Sequence, residues 1–191
     1  KNIAFIVNPI SGTKAKNRVA KLIRELLDAE QFSPTVVVTE YAGHATQLAQ
    51  QFALEGYYAV VAVGGDGTVN EVANGLVGTN TALGIIPNGS GNGFARHLDI
   101  STRMNRAVEM LNSSEPIYVD YGMVNDKNFF STFGEAIGRP CSLQQQICWL
   151  FAPEFPFCCH CEAFRPWQFP GTKAVPAVQC DGLYQVLRFP Q

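Results

Sequence analysis

Apolar residues along the first part of the chain fall into short runs separated by segments with a helical repeat. The runs are rich in Val, Ile and Ala, contain few charged positions, and cover residues 3–7, 35–39, 59–63 and 82–86. Short, almost continuously apolar runs are typical of strands that are buried on both faces of a parallel sheet. The pattern therefore predicts four core strands.

The segments that follow these runs predict helices. In residues 14–27, Val19, Leu22, Ile23, Leu26 and Leu27 recur at helical spacing, and shorter helices are predicted at residues 44–54, 69–77, 94–98 and 102–111. Strands that alternate with helices indicate an α/β fold, with a doubly wound, mostly parallel sheet and helices on both faces. Residues 118–124 and 129–133 predict a β-hairpin at the end of this domain.

A glycine-rich turn joins the third predicted strand to its helix. Residues 64–68 read Gly-Gly-Asp-Gly-Thr, and glycines let the backbone approach a ligand closely. Backbone amides beside a helix N-terminus suit phosphate oxygens. Asp66 is the charged residue of the turn, and next to phosphates its carboxylate is expected to hold Mg²⁺ or a hydroxyl group. The alternative is a tight turn in which Asp66, or Thr68, only caps the helix.

Polar and glycine residues also follow the other predicted strands. Asn8, Thr39, Gly65 and Ser90 all lie at or just after the end of a strand. In open parallel sheets ligands bind outside the carboxyl ends of the strands. The sequence therefore predicts one ligand-binding edge built from four segments.

Four segments in register carry a family resemblance. They are Gly-Gly-Asp-Gly-Thr at 64–68 with Asn70 and Glu71, Asn-Pro-Ile-Ser-Gly at 8–12, Thr39 followed by Gly-His-Ala at 43–45, and Pro-Asn-Gly-Ser-Gly-Asn-Gly-Phe-Ala-Arg at 87–96. Together they resemble the diacylglycerol kinase catalytic domain family, which includes bacterial lipid kinases and sphingosine and ceramide kinases. The resemblance covers residues 1–133, the nucleotide-binding half of a two-domain architecture.

The resemblance implies an N-terminal domain like that of phosphofructokinases and NAD kinases. It implies an ATP-dependent lipid kinase that uses Mg²⁺ and transfers the γ-phosphoryl group to the hydroxyl of a diacylglycerol-like lipid at a membrane surface. Asp66 is the implied metal contact, and no catalytic base is assigned because the family's base lies in its second domain. The implied nucleotide-binding residues are Asn8, Pro9, Ser11, Gly12, Thr39, Gly64, Gly65, Asp66, Gly67, Thr68, Asn70, Glu71, Gly89 and Ser90.

The chain departs from the family pattern in two places. Gly93 stands where the family often has Asp, and Ser90 stands where it often has Thr. Residues 134–191 contain both tryptophans, all six cysteines and proline-broken aromatic runs. They predict an irregular tail, interpreted as a truncated or frameshifted remnant of a β-rich second domain. Without that domain, Phe129, Phe130 and Phe133 are expected to expose apolar surface and to favour a homo-oligomer.

Charge and cysteine usage limit the remaining possibilities. A net charge of −2 gives no basis for nucleic-acid binding, and no run of 18 apolar residues predicts a membrane span. The absence of cysteine before Cys141 favours the cytoplasm, with peripheral membrane contact implied by a lipid substrate. Two alternatives stay open: a nucleotide-binding remnant without catalysis, and a kinase for a soluble substrate, similar to NAD kinase.

Overall fold

The structure is a computed structural model that describes residues 1–9, 13–124, 127–130 and 179–188. Its elements in chain order are β1 (Asn2–Val7), α1 (Thr13–Leu26), β2 (Ser33–Val38), α2 (His44–Leu54), β3 (Ala59–Gly64), α3 (Asp66–Leu76), β4 (Ala82–Pro87), α4 (Gly93–His97), α5 (Met104–Leu111), β5 (Glu115–Val124), β6 (Lys127–Phe129) and β7 (Gln179–Arg188). The strand order in the sheet is β2-β1-β3-β4-β7-β5-β6.

The four predicted core strands are confirmed as a parallel sheet. β1 lies between β2 and β3, with Phe5 opposite Val36 on one side and Val61 on the other. β4 continues the sheet beside β3. Every residue of β3 and β4 is buried, which explains why these strands appear in the sequence as unbroken apolar runs rather than as an alternating pattern.

Helices cover the sheet in two pairs. α2 packs on α3 and contacts β1 and β3, whereas α1 packs on α5, which contacts β4. The chain moves from β1 outwards to β2 and then back past β1 to β3. Because parallel crossover connections are right-handed, this reversal places α1 and α2 on opposite faces. The predicted doubly wound α/β fold is therefore confirmed, and its switch point lies between β1 and β3.

The predicted hairpin is present with shifted bounds. β5 pairs antiparallel with β6, with Gly122 opposite Phe129. The chain divides into two compact units. The first comprises residues 1–119 and 183–191, and the second comprises residues 120–182. Within the second unit the Phe130 side chain is 5% exposed and stacks on Tyr121 at a centroid distance of 5.5 Å. The expectation that Phe130 exposes apolar surface is wrong, because Tyr121 covers its ring.

One strand was not predicted. β7 lies inside the segment that the sequence describes as irregular, and it pairs in parallel with β4, with Val186 opposite Leu83. Val186 and Leu187 are fully buried. Phe133 and the predicted tail from residue 134 to residue 178, with five of the cysteines, lie outside the described residues. Within the part of the chain that the structure describes, no helix combines the length and apolar character needed to cross a bilayer.

Candidate functional site

The glycine-rich turn lies at the carboxyl end of β3, beside the switch point. α3 begins at Asp66 with Gly65 as the N-cap residue, three residues before the start predicted from the apolar pattern. The first backbone amides of an α-helix have no partner within the helix. Here those amides belong to Asp66, Gly67 and Thr68, so the turn presents N–H groups and the positive end of the helix dipole at the carboxyl edge of the sheet, where the sequence predicts ligand binding.

Thr68 joins two of the predicted segments. Its Oγ1 accepts a hydrogen bond from Asn8 Nδ2 at 3.0 Å, and the side chain is buried. The backbone N–H of Asn8 in turn donates to the Val63 carbonyl at 3.1 Å. The hypothesis that Thr68 caps α3 is wrong, since Gly65 occupies the cap position without a side-chain bond. The hydroxyl instead holds the segment after β1 against the turn after β3.

The packing of Thr68 explains the first glycine of the turn. A Cβ added to Gly64 would lie 2.5 Å from Thr68 Oγ1 and 2.8 Å from Thr68 Cβ. Both atoms belong to a β-branched side chain with few alternative rotamers. Gly64 is therefore required by the fold, whatever ligand the turn binds.

The segment after β4 contacts the same turn through its backbone. The Asn88 N–H donates to the Gly64 carbonyl at 2.8 Å, and a Cβ on Gly89 would lie 2.7 Å from the Gly65 Cα. Ser90, in the same segment, is exposed. The two glycine-rich loops are thus in van der Waals contact, an approach that a larger residue at position 89 would prevent.

Asn92 organises the loop between β4 and α4, residues 88–92, called the third loop below. The sequence analysis missed this residue. It adopts a left-handed backbone conformation with φ of 54° at the N-cap of α4, and its Nδ2 donates to the Gly89 carbonyl at 2.7 Å. Its Oδ1 is buried and has no hydrogen-bond partner among the described residues. The Asn-Gly dipeptide at 92–93 was the available signal, because asparagine tolerates this conformation better than most residues.

Asp66 is half-buried and is the first residue of α3. The alternative in which Asp66 caps the helix is wrong, because the cap position belongs to Gly65. Its Oδ1 accepts a long hydrogen bond, 3.5 Å, from the Phe94 N–H. The carboxylate therefore lies between the turn after β3 and the loop after β4, stabilised by the helix dipole.

The segment after β2 meets the other end of the site. The Thr39 N–H donates to the Val7 carbonyl at 3.0 Å, which continues the pairing of β2 with β1. Glu71 Oε2 accepts the Gly43 N–H at 3.1 Å, and the Glu71 carbonyl accepts the Thr46 hydroxyl at 2.9 Å. Glu71 thus joins α3 to the start of α2, a structural role that the sequence did not indicate.

The structure brings most of the predicted site residues to one edge of the sheet. Asn8, Thr39, the turn at residues 64–68 and Gly89 are linked by the contacts above. Asn70 is half-buried, and its carbonyl accepts the Asn74 Nδ2 at 2.9 Å. Pro9 follows Asn8 and is half-buried, whereas Ser11 and Gly12 lie outside the described residues.

Comparison with known proteins identifies relatives for this part of the chain. The chain is 31% identical to a diacylglycerol kinase of Staphylococcus carnosus over 133 residues, which are 69% of this chain and 44% of the relative. It is 34% identical to a diacylglycerol kinase of Bacillus subtilis over 138 residues, 70% of this chain and 45% of the relative. The chain thus spans less than half the length of these two proteins.

A solved structure and a family model agree with these relatives. A diacylglycerol kinase structure from Bacillus anthracis superposes with a TM-score of 0.57 and 28% identity, covering 67% of this chain and 47% of that one. The family model described as the diacylglycerol kinase catalytic domain matches residues 2–124, a range that includes every described loop of the site. The chain belongs to the diacylglycerol kinase catalytic domain family.

Proposed function

We propose that this chain binds Mg·ATP as part of a lipid kinase that transfers the γ-phosphoryl group to the hydroxyl of a diacylglycerol-like lipid. The observation that carries the proposal is the convergence of three loops on the N-terminus of α3. Asn8 and Thr68 are hydrogen-bonded at 3.0 Å, and Gly89 lies against Gly65. The relatives, named diacylglycerol kinases, support a lipid rather than a soluble substrate.

The phosphate groups are assigned to the turn at residues 64–68. Its first helical amides are donors directed out of the helix end, and such donors bind phosphate oxygens well. Apart from its chain neighbours and the backbone of α3, a Cβ on Gly67 would have no atom of the described residues within 4 Å, so their packing does not fill the space beside this residue. That space is where the proposal places phosphate oxygens.

The donor set of this edge fits Mg²⁺ bound together with a nucleotide. No group of three or more His, Cys, Asp or Glu side chains that could hold a metal occurs among the described residues. Mg²⁺ in kinases is commonly bound through one or two carboxylates together with substrate phosphates. Asp66 can supply such a carboxylate, directly or through water, and the ion would neutralise charge on the transferring phosphoryl group.

The proposal leaves the general base unassigned. The carboxylates within residues 39–44, 64–71 and 88–93 are Glu40, Asp66 and Glu71. Glu71 accepts the Gly43 N–H, and Asp66 faces the third loop. The residues of this edge therefore serve to position the nucleotide and neutralise its charge, which supplies much of the catalysis in phosphoryl transfer.

The first test is ligand-dependent stabilisation by Mg·ATP. A ligand that binds only the folded state raises its melting temperature by mass action, so millimolar Mg·ATP is expected to raise the wild-type midpoint. Asp66→Asn keeps the size of the side chain but removes its charge, and is expected to lose most of that shift. Glu30→Gln, an exposed residue in the turn after α1, serves as the matched control and should keep it.

Melting without ligand separates binding from folding. Asp66→Asn is expected to unfold within a few degrees of wild type in the absence of nucleotide, since only one long hydrogen bond is altered. An equal loss of stability with and without ligand would assign Asp66 a purely structural role. If Mg·ATP does not raise the melting temperature of folded wild-type protein, the nucleotide-binding proposal is wrong. Transfer of labelled phosphate to diacylglycerol in mixed vesicles tests the lipid part separately.

A further inference from the structure

Two aromatic rings form a stacked pair in the loop between β2 and α2. The Tyr41 and His44 rings have a centroid distance of 4.5 Å and an interplanar angle of 5°. Tyr41 is 54% exposed, one of three large hydrophobic residues found exposed among those the structure describes. An isolated exposed tyrosine needs no explanation, but this one is stacked on a second ring in a loop that contacts the candidate site.

Both rings are fixed by hydrogen bonds. The Tyr41 hydroxyl donates to Gln47 Oε1 at 2.8 Å, and the Glu40 N–H donates to His44 Nδ1 at 3.1 Å. Because Nδ1 accepts a bond, the proton of the neutral imidazole lies on Nε2. These bonds favour the stacked arrangement of the two rings, which lowers the entropy that a ligand must remove on binding.

The loop is attached to the phosphate-binding edge at both of its ends. Before the pair, the Thr39 N–H donates to the Val7 carbonyl, one residue from Asn8. Within it, the Gly43 N–H donates to Glu71 Oε2 on α3. Glu71 follows Asp66 by five residues, about 7.5 Å along the axis at 1.5 Å per residue. The aromatic pair therefore lies near the phosphate cradle but is not part of it.

We infer that the Tyr41–His44 pair is the platform on which the nucleobase stacks when the phosphates occupy the turn at residues 64–68. This inference rests on the proposed function and names the part of the ligand that the loop after β2 would recognise. His44 covers one face of the Tyr41 ring, and the other face is the one that a base would cover. An aromatic side chain can stack on any base, and the modest preferences come from stacking strength. The larger purines are therefore expected to bind better than pyrimidines.

The test compares a ligand that has a base with one that lacks it. Affinities for Mg·ATP and for Mg·tripolyphosphate are measured by calorimetry on the full chain. Tyr41→Ala is expected to weaken Mg·ATP by about five- to 150-fold, the range seen when a stacking aromatic is removed, and to leave tripolyphosphate unchanged. Tyr41→Phe keeps the ring and loses only the bond to Gln47, so it should bind Mg·ATP within about twofold of wild type.

Each alternative outcome has a distinct meaning. Unchanged Mg·ATP affinity in Tyr41→Ala would overturn the platform while leaving the nucleotide site intact. Equal weakening of both ligands would also overturn it, because the loop would then only support the phosphate cradle. If wild type binds neither ligand, the proposed function fails and the platform fails with it. Weaker binding of Mg·CTP than of Mg·ATP, with the difference abolished in Tyr41→Ala, would further support stacking.

Discussion

At the scale of single residues, two glycines of the turn at residues 64–68 differ in what surrounds them. Thr68 leaves no space for a side chain at Gly64, because its Oγ1 would lie 2.5 Å from an added Cβ. Gly67 is exposed, and apart from its chain neighbours and the backbone of α3 a Cβ there would meet no atom of the described residues within 4 Å. The first position is thus explained by packing, whereas the packing of the described residues does not require glycine at the second.

This difference predicts opposite effects of the same substitution. Gly67→Ala lies in the first turn of α3, where alanine is favoured over glycine by up to about 1 kcal/mol, so its free energy of unfolding should be unchanged or higher. Its added methyl group is expected to obstruct the phosphates and to reduce the Mg·ATP melting shift. Gly64→Ala should instead lower the free energy of unfolding by about 1–3 kcal/mol through overpacking.

Urea unfolding with and without Mg·ATP measures both quantities. If Gly67→Ala retained the full ligand shift, the phosphates would not approach this residue. If Gly64→Ala were as stable as wild type, Thr68 would have to rotate away from the turn, and its bond to Asn8 would not be important for the fold.

At the scale of elements, the contact between α2 and α3 decides whether the loop after β2 reaches the site. A Cβ on Gly75 would lie 2.6 Å from the Thr46 carbonyl oxygen and 2.8 Å from Ala49 Cβ. The two helices therefore approach closely at this point. About one turn earlier on α3, Glu71 also joins the pair by accepting bonds from Gly43 and Thr46.

Gly75→Ala is accordingly predicted to be destabilising by about 1–3 kcal/mol, although alanine is the better helix former. Gly67→Ala in the same helix is the matched control, because it makes the same change where space is open. Thermal unfolding of both variants provides the comparison. A Gly75→Ala protein as stable as its control would show that α2 can move away from α3 at little cost.

At the scale of the whole molecule, β7 adds a distant segment to the sheet next to β4. Leu187 is fully buried, and its Cδ1 would lie 3.4 Å from a Cβ on Gly84, so it packs on the strand that precedes the third loop. Residues 183–188 thus belong to the same compact unit as the loops of the candidate site.

Leu187→Ala is therefore predicted to lower the free energy of unfolding by about 2–5 kcal/mol, the usual cost of truncating a buried leucine. Leu54→Ala serves as the control, since Leu54 is 89% exposed and its loss should change stability by less than about 0.5 kcal/mol. Denaturant unfolding of the full chain compares the two. Equal stability of both variants would contradict the placement of β7 in the core.

The sequence by itself determined the α/β fold, the four parallel strands and the glycine-rich loops. These features depend on local signals, because a strand buried on both faces must be apolar throughout and glycine marks the turns where the backbone is approached closely. The start of α3 was predicted three residues too late, at Val69, because the apolar period begins only there. The helix begins at Asp66, since its first hydrogen bond is donated by the Val69 N–H to the Gly65 carbonyl.

Only the tertiary structure decided which residues hold these loops together. The bonds of Thr68 to Asn8 and of Glu71 to Gly43 join positions 60 and 28 residues apart, and a local pattern contains no information about such partners. β7 could not be predicted for the same lack of local information, because it is stabilised by burial against β4, a strand about 100 residues earlier in the chain. Local propensity sets the elements, but packing between distant segments forms the site.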